Sequence, residues 1–448
     1  MPGHDEESLV PLSEVQRLAL SGTRPLPAVQ IPLDDALGHV LAADVVASED
    51  VPPFANTAMD GYAVRAGDTE GAPVELEVVG VLGAGTAPSV AVGPGEAVRI
   101  MTGAPIPAGA DGIAIVERTE AVGSDEGRDL GRVRILEAVV AGAHLRAAGS
   151  DLAAGSVAVP AGTVLSPAHI GVLASVGAGI VTVHPRPRVG VMITGDELVE
   201  LAGDGSAPTL APGQIRDSNR HAMLATLRRD GFVAVDLGLA CDTEAAVTAG
   251  LERALGTCDA VLTTGGVSKG EFDYVKIVLG KLGASAEGGG VLELGVAIRP
   301  AKPLVISWLR SAGEGERSRL LPVFGLPGNP VSSLVSYQAI ALPVLRVLAG
   351  HAPAPPPTVP AVAVEGLRRP RDGKTHLVRV EVRWLADGRL GARAAGGQMS
   401  HQLAGMAAAN GLAIVPDGDG LSEGEMLEVI VFGTIERFET AGLERAGL

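Results

Sequence analysis

The 448-residue chain is predicted to be a multidomain α/β protein. Its centre is a largely parallel sheet domain, joined by an inserted β-rich domain, a small helical domain and a small barrel-like β domain at the carboxyl end. Three observations predict this. Strand-like and helix-like runs alternate from Arg186 to about Gly350, the signature of a parallel sheet covered on both faces. The stretch from about Ala42 to Ala148 is rich in Val, Gly and Pro with short alternating runs. A proline-rich linker, His351–Pro360, precedes further alternating runs such as Leu377–Val382. The predicted boundaries are 1–44 with 149–184 (helical, linking), 45–148 (inserted β), 185–350 (α/β) and 358–438 (terminal β).

Taken in order, Ser13-Glu14-Val15 opens an amphipathic helix, and Leu33–Leu37 reads as a short second one. Val74–Val78 and Val133–Leu136 alternate as strands. Ser166-Pro167 starts a helix. In the central region the predicted strands are 189–194, 232–237, 260–264, 291–298, 303–308 and 320–324. The predicted helices are 220–230, closed by Gly231, 243–255, with Asp242 placed to cap it, 272–282 and 331–348.

Composition excludes several function classes. The net charge is −17 and aromatics are scarce, with 2 Trp, 3 Tyr and 6 Phe, so neither phosphate attraction nor base stacking favours nucleic acid. The acidic amino terminus is not a signal peptide, and the apolar stretch near Ile170–Val183 is too short and too glycine-rich to span a bilayer. Cys241 and Cys258 cannot form a disulfide framework or a zinc site alone. The expectation is a cytoplasmic protein with no membrane or nucleic-acid partner.

Parallel sheets bind ligands beyond the carboxyl ends of their strands. At those ends lie Thr264-Gly265-Gly266-Val267-Ser268 and Pro327-Gly328-Asn329, two glycine-rich loops whose amides can approach an anion. Ser332 adds a hydroxyl, and Arg299 and Lys302 add fixed positive charge on the same edge. Glu197, Asp242 and Asp273 fall there too. Carboxylates beside bound phosphate commonly share a Mg²⁺ ion, although Asp242 equally suits a helix cap. Neither GxGxxG after a strand nor GxxxxGK[ST] occurs, so the dinucleotide and Walker readings lose their support. GxSxG and HExxH are absent as well. Three turn-like segments of the β-rich region mix apolar and polar residues as binding loops do: Asn56–Ala63, Thr102–Pro105 and Arg146–Asp151.

In this order the segments NTAMDGYAV (from Asn56), TGAPIPAGAD (Thr102), LRAAGSDLAAG (Leu145), TGDELV (Thr194), RDSN (Arg216), TTGGVSKGEFDY (Thr263), IRPAKP (Ile298) and LPGNPVSS (Leu326) resemble the molybdopterin molybdotransferase family, which is related to the carboxyl-terminal domain of gephyrin. The resemblance runs from about residue 8 to about residue 436. It implies an elongated homodimer of four-part subunits. It implies that adenylylated molybdopterin is bound, molybdate is delivered to its dithiolene sulfurs, the pyrophosphate bond is cleaved with Mg²⁺, and molybdenum cofactor and AMP leave. A molybdopterin adenylyltransferase is the implied supplier of substrate.

By the same resemblance the catalytic set is Asp60, Thr102, Asp151, Glu197, Asp242 and Asp273, the first three reaching the cleft from the partner subunit. Molybdopterin and nucleotide fall to Thr264, Gly265, Gly266, Ser268, Asp273, Arg299, Pro327, Gly328 and Asn329. Molybdate falls to Lys302, Pro303, Ser332, Arg379 and Ser400, and the metal to Glu197 and Asp273. Two departures stand out. Arg299-Pro300-Ala301-Lys302-Pro303 replaces a KPGKP-like string, and Gln398–Leu403 replaces a string richer in glycine and serine. The competing readings are a gephyrin-like scaffold, or another nucleotide-processing enzyme built on the same α/β module.

Overall fold

The computed structural model describes residues 9–123, 130–267, 273–285, 290–311 and 319–437. They form two compact units, one of residues up to 29 with 184 onward, the other of residues 30–183. Ser268 and Phe272 lie outside the described residues.

Helix α1 (Leu12–Ser21) opens the first unit. It was expected to join the 1–44/149–184 region. It groups instead with the α/β unit, because its apolar stripe, Val15 and Ala19, is buried in that unit's core.

Residues 30–183 hold a six-stranded sheet. Its strands are β1 (Gly61–Val64), β2 (Val74–Leu82), β3 (Glu96–Ile100), β4 (Gly112–Ile115), β5 (Thr119–Val122) and β6 (Arg132–Ile135), in the order β4-β1-β3-β2-β6-β5. Alternation along the strands builds a core on each face. Tyr62, Val64, Leu76, Val78, Val133 and Ile135 point one way, and Ala63, Leu82, Val98, Ile100 and Ile113 the other. The rest of this unit is less helical than its sequence suggests. Leu33–Asp35 is a single 3₁₀ turn, and Val45–Val46 pairs with Val157–Val159. One helix remains, α2 (Pro167–Ser175), started by Pro167 and by a capping box between Ser166 and His169.

In the first unit β7 (Arg188–Thr194) is followed by α3 (Asn219–Arg229), β8 (Val233–Ala240), α4 (Glu244–Thr257), β9 (Ala260–Thr264) and α5 (Tyr274–Ser285). Then come β10 (Gly290–Gly295), β11 (Pro303–Arg310), β12 (Leu320–Leu326) and α6 (Pro330–Ser336). The strand order is β8-β7-β9-β12-β11-β10, with β8, β7, β9 and β12 parallel and β11 antiparallel to both its neighbours. That reversal carries the loop after β10 and the start of β11 to the edge where β7, β9 and β12 end. Val191, Ile193, Leu262, Phe324 and Ile306 pack on the side of α3 and α6. Met192, Val261, Val323 and Val305 pack on the side of α4 and α5.

The helix expected over 331–348 is continuous from Pro330 to Leu348 but is interrupted by a π-helical stretch, Tyr337–Ala341, before α7 (Leu342–Leu348). Pro343 is the reason. It has no N–H for the carbonyl four residues back, Ala339, and Gln16 Nε2 of α1 donates to that oxygen at 2.8 Å. This helix, rather than 170–183, is the most membrane-like by length and composition, but 94% of it is buried as core.

Beyond the linker, β13 (Val359–Ala363), β14 (Thr375–Trp384), β15 (Leu390–Ala394), β16 (Gly411–Val415) and β17 (Met426–Val431) close into a five-stranded barrel through pairing of β14 with β16. A short strand, Ile298–Arg299, pairs with the start of β14, so the barrel is hydrogen-bonded to a loop at the sheet's ligand edge.

Phe324 lies in the central strand and is fully buried. Phe324→Ala is expected to lower unfolding free energy by about 3–5 kcal/mol. Urea denaturation checks this, and a loss below about 1 kcal/mol would contradict the packing described.

Candidate functional site: two cavities divided by glycine loops

Two cavities meet at the carboxyl edge of the central sheet. One, of about 440 Å³, is cationic. Its walls include Arg299, Lys302, Pro303, Pro327, Ser332 and Ser400. The other, of about 580 Å³, is acidic, with Glu197, Asp217, Asp242 and Asp273 on its walls beside Thr264 and His401. Gly265, Gly266, Gly328 and Asn329 line both and form the partition.

The glycines are required there. Gly265 has φ +96°, and a Cβ on it would lie 2.6 Å from the Thr194 carbonyl oxygen. Gly266 has φ +64°, and its Cβ would strike Val275 at 2.9 Å. The two loops touch backbone to backbone through Gly265 N–H, which donates to Leu326 O at 3.2 Å, and a Cβ on Gly328 would lie in ordinary contact, 3.5 Å from Gly265 Cα. Asn219, the first residue of α3, ties them: its Nδ2 donates to Thr264 Oγ1 at 3.1 Å and to the Gly328 carbonyl at 2.7 Å.

In the acidic cavity Asp242 does not cap α4. Thr243 does, accepting from Ala246 N–H at 3.2 Å, which leaves the Asp242 carboxylate facing the cavity. The loops after β7 and β8 lock reciprocally: Asp242 N–H donates to Asp196 Oδ1 at 3.0 Å, and Asp196 N–H to Asp242 Oδ2 at 3.4 Å. Burial pushes the Asp242 carboxyl up, and the charges of Asp196, Glu197 and Asp273 add to the rise, against the lowering effect of the Asp196 amide. Among the described residues no three His, Cys, Asp or Glu side chains converge to enclose a metal by themselves. The carboxylate oxygens of Glu197, Asp242 and Asp273 are the donor type that a hard cation takes.

In the cationic cavity, Lys302 forms no ion pair among the described residues. The Arg299 guanidinium stands 3.6 Å from Asp372 of the barrel. Between them in sequence Ala301 holds φ +84° while nearly fully buried, a left-handed conformation that favours glycine. The barrel supplies the cover. Ser400 C=O accepts from Val331 N–H at 3.1 Å, binding its loop to α6.

Arg379 does not line this cavity. Its side chain is wholly buried behind the loop, donating through Nη2 to the carbonyls of Gly397 and Met399, while Nε and Nη1 have no partner. The glutamines of the unusual Gln398–Leu403 string explain the loop's form. Gln398 clasps the Arg379 backbone, accepting its N–H at 3.0 Å and donating to its carbonyl at 3.1 Å, and Gln402 accepts from Met399 N–H at 2.9 Å.

Residues 30–183 bring the three turn-like segments together. Thr57 N–H donates to Ala104 O at 3.1 Å, Gly103 N–H to Thr57 O at 2.9 Å, and Arg146 pairs with Asn56 in a short antiparallel ladder. Asp60 accepts from Thr102 twice, from N–H at 2.6 Å and from Oγ1 at 2.7 Å, and these bonds hold its carboxyl below the usual range. Asp151 is exposed nearby in sequence to the same strands, its N–H donating to Val51 O at 2.9 Å.

Comparisons with known proteins agree along the chain. Residues 10–177 match the family model for the MoeA N-terminal region (domain I and II), residues 190–347 that for a "Probable molybdopterin binding domain", and residues 363–432 that for the MoeA C-terminal region (domain IV). Molybdopterin molybdenumtransferase 2 of Mycobacterium tuberculosis (strain ATCC 25618 / H37Rv) is 38% identical over 411 residues, covering 91% of this chain and 95% of that protein. The chain belongs to the molybdopterin molybdenumtransferase family.

A Bacillus subtilis (strain 168) member is 31% identical over 95% of both chains. A solved molybdopterin biosynthesis moeA protein from Pyrococcus horikoshii OT3 superposes with a TM-score of 0.75 at 26% identity, covering 95% of this chain and 100% of that one. Within the described residues of this molybdenumtransferase-family chain, the structure gathers Glu197, Asp242, Thr264, Gly265, Gly266, Asp273, Arg299, Lys302, Pro303, Pro327, Gly328, Asn329, Ser332 and Ser400 onto the two cavities. Asp60, Thr102 and Asp151 lie in the other unit, and Ser268 is outside the described residues. Sequence reasoning passed over Asn219, which sits in the noted RDSN string but reads there as an ordinary helix start. It also passed over Thr243, which stands next to an aspartate that caps equally well.

Two outcomes follow. Ala301→Gly removes a left-handed conformation costing about 1–2 kcal/mol, less the extra chain entropy of glycine. The unfolding free energy is expected to rise or hold, and a loss above about 1 kcal/mol in urea denaturation would contradict the strain. Because folding raises the Asp242 pKa, ionising this group opposes folding. The penalty is absent below the unfolded carboxylate pKa and is fully present above the folded one. Asp242→Asn is therefore expected to raise the melting temperature at pH 7 and leave it unchanged near pH 3, as read by calorimetry across pH.

Proposed function

We propose that this enzyme is a molybdopterin molybdenumtransferase of molybdenum cofactor biosynthesis, and that the two cavities divide the substrate's charges between them. The observation that carries this reading is a cationic, amide-lined cavity directly joined to a carboxylate cavity in a chain of net charge −17. Molybdate enters beside Lys302, Pro303, Ser332 and Ser400, where fixed positive charge and hydroxyls attract an oxyanion. The pyrophosphate of adenylylated molybdopterin crosses the glycine partition, so that its molybdopterin end faces molybdate and its nucleotide end lies beside Thr264 and Asp273. Arg299 draws phosphate oxygens and gives up its loose contact with Asp372.

Glu197, Asp242 and Asp273 are the residues that would hold Mg²⁺ together with substrate phosphate. A bound Mg²⁺ offsets charge and polarises the phosphoanhydride that is cleaved. No side chain is needed as a nucleophile. The enzyme's residues bring two anions together, hold them and screen their repulsion. Two molybdate oxygens give way to the dithiolene sulfurs and leave as water, a water oxygen is taken up where the phosphoanhydride breaks, and molybdenum cofactor and AMP are the products. Arg379 supports the loop over the molybdate end through the carbonyls of Gly397 and Met399. We further propose that the enzyme is a cytoplasmic homodimer, that Asp60, Thr102 and Asp151 of one subunit serve the cleft of its partner, and that an adenylyltransferase supplies the substrate. Asp60 and Thr102 are joined by two hydrogen bonds, so they would act there as a pair. The scaffold and other-nucleotide-enzyme readings are not favoured, because the relatives match the chain across nearly its full length.

The test mixes purified protein with adenylylated molybdopterin, molybdate and Mg²⁺ and follows AMP. Molybdate-dependent release is expected. Asp273→Asn, a loop substitution, is expected to lower that release by at least about a hundredfold while the melting temperature holds. Wild-type protein that captures peptides but releases no AMP would favour the scaffold reading instead.

A further inference from the structure

We propose that Asn219 is a positioning residue: it fixes the orientation of the Gly328–Asn329 peptide so that the Asn329 amide donates to the oxyanion in the cationic cavity. The inference rests on the reading of that cavity as the oxyanion site.

The geometry decides which way this peptide faces. A carbonyl oxygen can only accept, so the nitrogen end of the Asn219 side chain must face Gly328, and it does so at 2.7 Å. Its second N–H is anchored on Thr264 Oγ1, a fully buried group at the end of β9. Asn219 lines the acidic cavity and not the cationic one, whereas Gly328 and Asn329 line both. The Gly328 carbonyl is thus held toward the acidic side. In a trans peptide the N–H lies opposite the C=O, and the Gly328–Asn329 bond is trans. The Asn329 N–H is therefore turned toward the side of Lys302 and Arg299. Among the described residues it has no acceptor.

This orientation is not secured by the loop itself. Gly328 has no side chain to resist rotation of the peptide, and the hydrogen bond that α6 makes to this loop, Ser333 N–H to the Asn329 carbonyl at 3.0 Å, holds the next peptide rather than this one. If the peptide turned over, the carbonyl dipole would face the cationic cavity and repel the anion that Lys302 attracts. Asn219 prevents this from outside the cavity, touching neither the anion nor its cations.

The sequence makes the test direct, since the chain has four asparagines, Asn56, Asn219, Asn329 and Asn410. Full-length protein labelled with [¹⁵N]asparagine gives four backbone amide signals. That of Asn329 is identified by its loss in Asn329→Asp. Adding sodium molybdate is expected to move the Asn329 signal downfield in the wild type. In Asn219→Ala, and in the isosteric Asn219→Asp, which cannot donate to the Gly328 carbonyl, that movement should vanish. Molybdate affinity measured by calorimetry should fall by about tenfold, with the protein still folded and a modest drop in melting temperature from the donor that Thr264 Oγ1 loses. If Asn219→Ala unfolds, Asn219→Asp carries the same comparison. Variants that bind molybdate like the wild type, or a wild-type Asn329 amide that stays still at saturation, overturn the role of Asn219 alone. A wild-type protein that binds no molybdate overturns the reading of the cavity, and this inference with it.

Discussion

The backbone contact between the Gly265 and Gly328 loops is the constraint on which the site depends. Two strands of a parallel sheet end side by side, and their loops come within van der Waals distance without any side chain between them. Only glycine permits this, because positive φ at Gly265 and Gly266 is coupled to clashes with Thr194 and Val275 for any larger residue. The contact makes a thin polar partition. On one side stand cations, on the other carboxylates, and a substrate bearing a phosphoanhydride can lie across it.

Keeping the two charge sets apart matters more than their sum. In an acidic protein the general field opposes anion entry, so attraction must come from groups close to the bound anion, where screening is weakest. Lys302 and Arg299 are held there by a loop that fastens to the terminal barrel through β14 and through Asp372. On the other side burial raises the Asp242 carboxyl, and the nearby charges of Asp196, Glu197 and Asp273 add to the rise.

The barrel gives this arrangement its cover and its rigidity. Its loop is fixed by Gln398 and Gln402 and bonded to α6 through Ser400, while Arg379 fills the space beneath. In this string the chain uses side-chain amides as backbone clasps. The same economy appears in the long apolar helix, where Gln16 of a distant helix satisfies the carbonyl that Pro343 abandons.

Much of this was legible in the sequence. Periodicity gave the sheet and its order of strands and helices, and the positions of Gly, Arg, Lys and Asp at strand ends gave most of the cavity walls, because strand ends and turn chemistry are local properties. Three features were decided only by the folded chain. Whether Asp242 or Thr243 caps α4 depends on φ/ψ at adjacent residues that both cap well. The seat of α1 follows from which core accepts Val15 and Ala19, a contact more than 150 residues distant in sequence for much of that core. That Arg379 lies behind the wall and Asn219 within it is a matter of long-range geometry. Residue type states what a side chain can bond to, but only the packed structure sets which partners come within reach.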